Sequence, residues 1–83
     1  MQSTKAIREL VKVQLTNSQL QALESFVADR GLAIFRNSTL LKVINKNDTA
    51  AIITEFRKWT LDAGKPSQRL VELREQEIVL FTK

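Results

Sequence analysis

Histidine and cysteine are both missing from these 83 residues. Without an imidazole or a thiol the chain offers no His-based catalytic triad, no sulfur nucleophile, no structural zinc site and no redox dithiol. No metal or other cofactor is therefore expected, and any chemistry falls to carboxylates, hydroxyls, amides, Lys and Arg. Two Gly, one Pro, no low-complexity tract and no internal repeat leave nothing from which to build a linker, so one domain over residues 1–83 is expected, with short connections. No apolar run approaches the roughly 18 residues a membrane helix needs. The stretch from Met1 to Lys12 carries Lys5, Arg8, Glu9 and Lys12 where a signal peptide would be apolar, so neither membrane insertion nor export is expected. The lack of cysteine is compatible with a reducing cytoplasm.

What is present is a modest cationic excess: 13 Lys+Arg against 9 Asp+Glu, a formal charge of +4. Its placement is uneven. Residues 1–46 hold seven basic and three acidic groups, and residues 47–83 hold six of each. Such a surplus suits an anionic partner, whether nucleic acid, anionic lipid or an acidic wall polymer, although many solvated surfaces carry as much. A chain of this size buries only about 60–65% of its unfolded surface, which leaves room for stabilisation by a partner or by homo-oligomer formation.

Along the chain the pattern is helical. Residues 5–12 suit a short additional N-terminal helix, while Val11-Lys12-Val13-Gln14-Leu15 alternates as an extended lead-in would. Thr16-Asn17-Ser18-Gln19 has the form of a capping box, Leu20, Leu23, Phe26 and Val27 share one face, and Gly31 supplies the stop, so a helix is expected at about 17–30. Ser38 suits the cap of a short buried helix carrying Leu40, Leu41, Val43 and Ile44. Asp48 caps a third with Ile52, Ile53, Phe56 and Trp59 on its stripe, closed by Gly64 and Pro66, and Ser67 caps a last one with Leu70, Val71, Leu73, Ile78 and Phe81. With almost no strand signal, the expected class is all-α, a small orthogonal bundle of four to five short helices.

Several stretches are more specific than helix composition requires: Val-Lys-Val-x-Leu-Thr at 11–16, Ala-Leu-x-Ser-Phe-Val at 22–27, Phe-Arg-Asn-Ser-Thr-Leu-Leu-Lys at 35–42, Arg-Lys-Trp-Thr at 57–60 followed by Ala-Gly-Lys at 63–65, and Leu-Val-x-x-Arg-Glu-x-Glu at 70–77. On these the run from about Val11 to Phe81 resembles, without a gap, the C-terminal lobe of bacteriophage endolysins of the T-even-phage lysozyme type, glycoside hydrolase family 24. The resemblance implies a lysozyme-like helical lobe. It also implies that the family's peptidoglycan-cleaving Glu-x8-Asp-x5-Thr belongs to an N-terminal lobe upstream of everything matched. That spacing does not occur in this sequence, since nine residues beyond Glu9, Glu24, Glu55 and Glu72 stand Ser18, Ala33, Gly64 and Phe81. Glycoside hydrolysis needs a protonated carboxyl at the leaving oxygen and a second carboxylate across the sugar, so no catalytic residue is assigned, and hydrolysis is expected only where another chain supplies the acid and the Asp.

By position, the resemblance puts candidate substrate contacts at Asp29, at Phe35, whose ring would pack on a sugar face, and at Asn37 and Ser38, whose amide and hydroxyl suit sugar hydroxyls and acetamido groups. Helix capping explains Asn37 and Ser38 equally well, and a core position explains Phe35. The chain departs from the family at Asp29, where an amide is usual, at Ala33, where a turn glycine is usual, at Arg69, in place of a Gly, and at Leu73 and Ile78, which replace arginines and add apolar surface suited to a subunit or partner. Three functions follow. One is a non-hydrolytic module that binds peptidoglycan or works with a separate catalytic lobe. Another is a phage or prophage structural or protein-interaction component that reuses the lobe, located in the virion or the host cytoplasm. The third, a basic nucleic-acid binder reading with residues 38–44 and holding phosphates with Arg36 and Lys42, suffers because Leu40, Leu41, Val43 and Ile44 leave little polar face to read bases.

Overall fold

Four side-chain caps set the helix starts. The computed structural model describes residues 2–83, with side chains from Thr4 onward, so Met1 of the opening stretch lies outside the described residues. Helix α1 spans Gln2–Leu10, α2 Asn17–Arg30, α3 Leu32–Arg36, α4 Thr39–Asn45, α5 Thr49–Arg57 and α6 Gln68–Phe81, with a two-stranded hairpin of β1 (Leu61–Asp62) and β2 (Lys65–Pro66) between α5 and α6. At α2 the capping box is complete: the Thr16 hydroxyl accepts from the Gln19 N–H (3.1 Å) and the Gln19 side chain accepts from the Thr16 N–H (2.9 Å). Ser38, Asp48 and Ser67 cap α4, α5 and α6 by accepting from the N–H groups of Leu41, Ala51 and Leu70. Each satisfies an N–H that a helix start leaves without a partner.

The class is all-α, with six helices among the described residues where four to five are expected from the pattern. The addition is α3. After α2, Gly31 adopts φ +93° and turns the chain, and Leu-Ala-Ile-Phe-Arg then forms a single turn whose Phe35 N–H reaches the Gly31 carbonyl at 3.2 Å. Ala33, where the resemblance suggests a second turn glycine, sits in this helix, a conformation alanine favours.

Helices α2 and α6 form the main packed pair, and the core gathers around Phe26 of α2, fully buried. Its ring meets Phe35 and Phe56 at 6.1 Å each and Trp59 at 5.5 Å, all edge-on, a geometry that brings the positive edge of one ring to the negative face of another. Phe81 continues the cluster at 5.8 Å from Phe56. Ile78 belongs to this core, at 7% exposure, and Leu73 is half-buried, which corrects the expectation that both would add outer apolar surface. The apolar side chains that α6 does expose are Val71 and Val79. At the other end of the molecule Asn45 ties α1 to α4, its Nδ2 donating to the Leu10 carbonyl (3.2 Å) and its Oδ1 accepting from the Lys12 N–H (2.6 Å).

Helix α5 stops at Arg57, short of Trp59, and the hairpin replaces the expected helix end at Gly64. Leu61 faces Pro66 and Asp62 faces Lys65 in an antiparallel register. The two residues at the tip, Ala63 (φ +52°) and Gly64 (φ +81°), both take positive φ, as a tight hairpin turn requires. Glycine adopts this freely and alanine does not. Ala63→Gly is therefore expected to raise stability by about 0.5–1 kcal/mol, read as a higher midpoint in urea unfolding. An unchanged or lower midpoint would show that the tip is not strained.

Candidate binding groove

A surface groove of about 470 Å³ lies where α3, the start of α4 and the turn after α5 meet, lined by Ala33, Ile34, Asn37, Ser38, Thr39 and Trp59. Its parts have different origins. Ile34 is 42% exposed because a one-turn helix with Phe35 facing the core must turn its neighbour outward. Asn37 ends α3, its Nδ2 donating to the Ala33 carbonyl at 3.0 Å, and its Oδ1 makes no hydrogen bond among the described residues. Ser38 is buried and its hydroxyl is occupied, donating to the Phe35 carbonyl (2.7 Å) and accepting from the Leu41 N–H (3.2 Å). Thr39 is exposed and Trp59 half-buried. The groove thus sets one indole and one aliphatic side chain beside an amide oxygen and a hydroxyl, the mixture that suits a ligand with apolar faces and polar edges.

Of the four residues singled out from sequence, the structure brings Asn37 and Ser38 to this groove. Phe35 lies beneath it, fully buried against Phe26, with no ring face open to a sugar. Asp29, in the last turn of α2, is not among the lining residues; its carboxylate, 19% exposed, is bonded to Arg74 and lies 3.1 Å from Arg30 Nε. Trp59, Ile34 and Thr39 are additions. Trp59 was legible as a lone tryptophan on an apolar stripe, but its place at a groove depends on where the chain leaves α5.

Behind Trp59 runs a buried polar network. Arg74 has no exposed surface, and it donates from Nε to the Trp59 carbonyl (2.9 Å), from Nη1 to Glu77 (2.8 Å) and from Nη2 to Asp29, with its guanidinium carbon 5.0 Å above the Phe26 ring. Glu77, 1% exposed, also accepts from the Ser25 hydroxyl. Burial lifts the Glu77 pKa above its ordinary value, and it outweighs the opposing pull of the Ser25 hydrogen bond and the Arg74 charge. Among the described residues no three carboxylates gather to hold a metal ion, and no helix is long and apolar enough to cross a membrane.

Residues 1–77 match the phage lysozyme family. The endolysin of Bacillus phage PZA is 41% identical over 75 residues, 90% of this chain and 29% of its own length. The SAR-endolysin of Escherichia phage Mu is 37% identical over 76 residues, covering 92% of this chain and 44% of the relative. The endolysin of Acyrthosiphon pisum secondary endosymbiont phage 1 is 37% identical over 84 aligned positions, covering 96% and 58%. The chain thus spans between about a third and three fifths of the length of these relatives.

Proposed function

Because the chain belongs to the phage lysozyme family, we propose that it forms the C-terminal lobe of a lysozyme of the T-even-phage type, glycoside hydrolase family 24, and that it binds peptidoglycan along the groove between Ile34 and Trp59. The observation that carries this proposal is the composition of the groove: an indole and an aliphatic side chain beside the Asn37 amide and the Thr39 hydroxyl. Pyranose rings present C–H faces to aromatic and aliphatic surfaces and present hydroxyl and acetamido edges to amides and hydroxyls, so one wall of each kind holds a glycan in a set orientation.

In this proposal the role of these 83 residues is recognition. None of the groove-lining residues carries a carboxyl group, and no Glu in the sequence stands nine residues before an Asp. The carboxylate pair that glycoside hydrolysis demands is supplied by a separate lobe. Asn37 and Thr39 make the polar contacts, with Ser38 holding the start of α4 in place beneath them, while Asp29 and Phe35 act from behind the surface.

The test is sedimentation with purified peptidoglycan sacculi, with soluble muropeptide release followed on the same sample. The chain is expected in the pellet, with the walls left intact. Ile34→Asp, which sets a charge on the exposed rim without touching the core, is expected to lower the bound fraction about tenfold. A chain that stays in the supernatant with walls from several bacteria rules out this function.

A further inference from the structure

Trp59 is the groove's aromatic wall, yet it lies in the turn between α5 and the hairpin, where no helix holds it. Two arginines do so instead. Arg74, from α6, donates Nε to the Trp59 carbonyl at 2.9 Å. Arg30, the last residue of α2, places its guanidinium carbon 5.8 Å from the centre of the indole and donates Nη2 to the carbonyl of Leu61, two residues further on, at 3.1 Å. Both arginines meet the same oxygen of Asp29. A cation thus lies over the ring at cation–π distance, and the chain on either side of Thr60 is gripped at its carbonyls.

The orientation of Arg30 says what it is aligned on. Its Nε lies 3.1 Å from Asp29 Oδ2, close enough for charge attraction, but the N–H is turned away from a hydrogen-bonding angle, and this nitrogen is the buried side-chain donor left without a hydrogen bond among the described residues. An arginine placed for its carboxylate would present that edge squarely, since the guanidinium fork matches a carboxylate in plane. Arg30 forgoes this alignment and lies instead over the indole and against the Leu61 carbonyl. Making both contacts at once suits a guanidinium, whose several donors lie in one plane, so that one N–H can reach a carbonyl while the group lies over a ring; a lysine ammonium meets both less readily.

We infer that Arg30 is a positioning residue for Trp59, fixing the height and tilt of the groove's aromatic wall, and that Asp29 acts through Arg30 and makes no direct ligand contact. This rests on the proposed glycan groove for its functional meaning, and on Trp59 alone for its physical one. Because the chain contains one tryptophan, its emission reports on this ring and nothing else.

Arg30→Met keeps the length of the side chain and removes the guanidinium. It is expected to leave the far-ultraviolet circular dichroism unchanged, shift Trp59 emission to longer wavelength, raise its quenching by acrylamide and weaken binding of soluble muropeptides about fivefold. Arg30→Lys should restore less than half of each effect. Arg57→Met, which breaks the exposed pair with Glu75 at the end of α5, should move neither emission nor quenching. If Arg30→Met emits, quenches and binds as the wild type does, Arg30 is not a positioning residue. If it fails to fold, Arg30→Lys decides on the same readouts. Wild-type protein that binds no muropeptide would overturn the glycan groove, while the emission and quenching of the variants would still decide the placement of Trp59.

Discussion

Phe26→Ala is expected to lower stability by about 3–5 kcal/mol, the range for emptying an aromatic site in a core that cannot collapse around it. Collapse is hindered because four groups converge on this ring from different elements: Phe35 on α3, Phe56 on α5, Trp59 in the following turn and the Arg74 guanidinium on α6. None can move into the void without breaking a contact of its own, least of all Arg74, with three further partners. A chain of this length has a total stability of about 4–12 kcal/mol, so the variant loses a large share of it, and its thermal midpoint should fall at least about 15 °C below that of the wild type. Calorimetry or far-ultraviolet circular dichroism against temperature measures it. A cost under about 1 kcal/mol would mean that the cluster repacks, which the convergence of rings from separate elements argues against.

Phe26 also shows why much of the fold is legible in the sequence. Its helix is bracketed by the Thr16 and Gln19 capping box and by Gly31, and its spacing from Leu23 and Val27 marks the buried face. The same holds for α4, α5 and α6, whose caps Ser38, Asp48 and Ser67 each stand just before an apolar repeat. Helix α3 escapes because five residues make little more than one turn, too short for a period to show, and Leu-Ala-Ile-Phe suits a buried strand as well as a helix. The hairpin escapes for a related reason. Two-residue strands have no alternation to detect, and its turn puts Ala63 where Asn or Gly would have announced a positive φ. Ile78 was misplaced because it was judged by the arginine the resemblance sets there, whereas its own spacing from Leu70, Arg74, Glu77 and Phe81 puts it on the single buried stripe of α6.

The groove was less legible than the helices. Asn37 and Ser38 could be singled out because they cap neighbouring helices, and groove and caps coincide there. Trp59 reaches the groove only because α5 ends two residues before it and the chain is caught by Arg30 and Arg74, from helices some 30 residues before it and 15 after. Asp29 has a similar history: its acid in place of an amide suggested a change at a ligand contact, whereas its partner Arg74 stands 45 residues away in the sequence. Pairings of that range arise from the packing of α2 on α6 and leave no local signal.

The same packing leads to the second large effect. Arg74→Met is expected to lower stability at neutral pH by about 3–5 kcal/mol, because it leaves Glu77 inside without its cation, and a buried charge stripped of its partner costs more than the pair contributed. Shape is not the cause, since methionine fills much of the same volume. Adding Glu77→Gln to Arg74→Met should therefore recover more than half of the loss: the amide is neutral and still bonds Ser25. Acidity should act like that second mutation. Burial already holds the Glu77 pKa above its ordinary value, and losing the Arg74 charge raises it further. A carboxyl whose folded pKa exceeds its unfolded one takes up a proton on folding; its contribution is complete below the unfolded pKa and is lost as pH rises through the folded one. Arg74→Met should accordingly be least stable near pH 8 and recover on titration towards about pH 5, the opposite slope to that of an ordinary paired carboxylate, while the double variant should show much less of this recovery. Urea midpoints at the two pH values measure it for all three proteins. If the cost of Arg74→Met were the same at both, the Glu77 charge would not be its source, and the loss would have to come from the broken contacts to Trp59, Asp29 and Phe26.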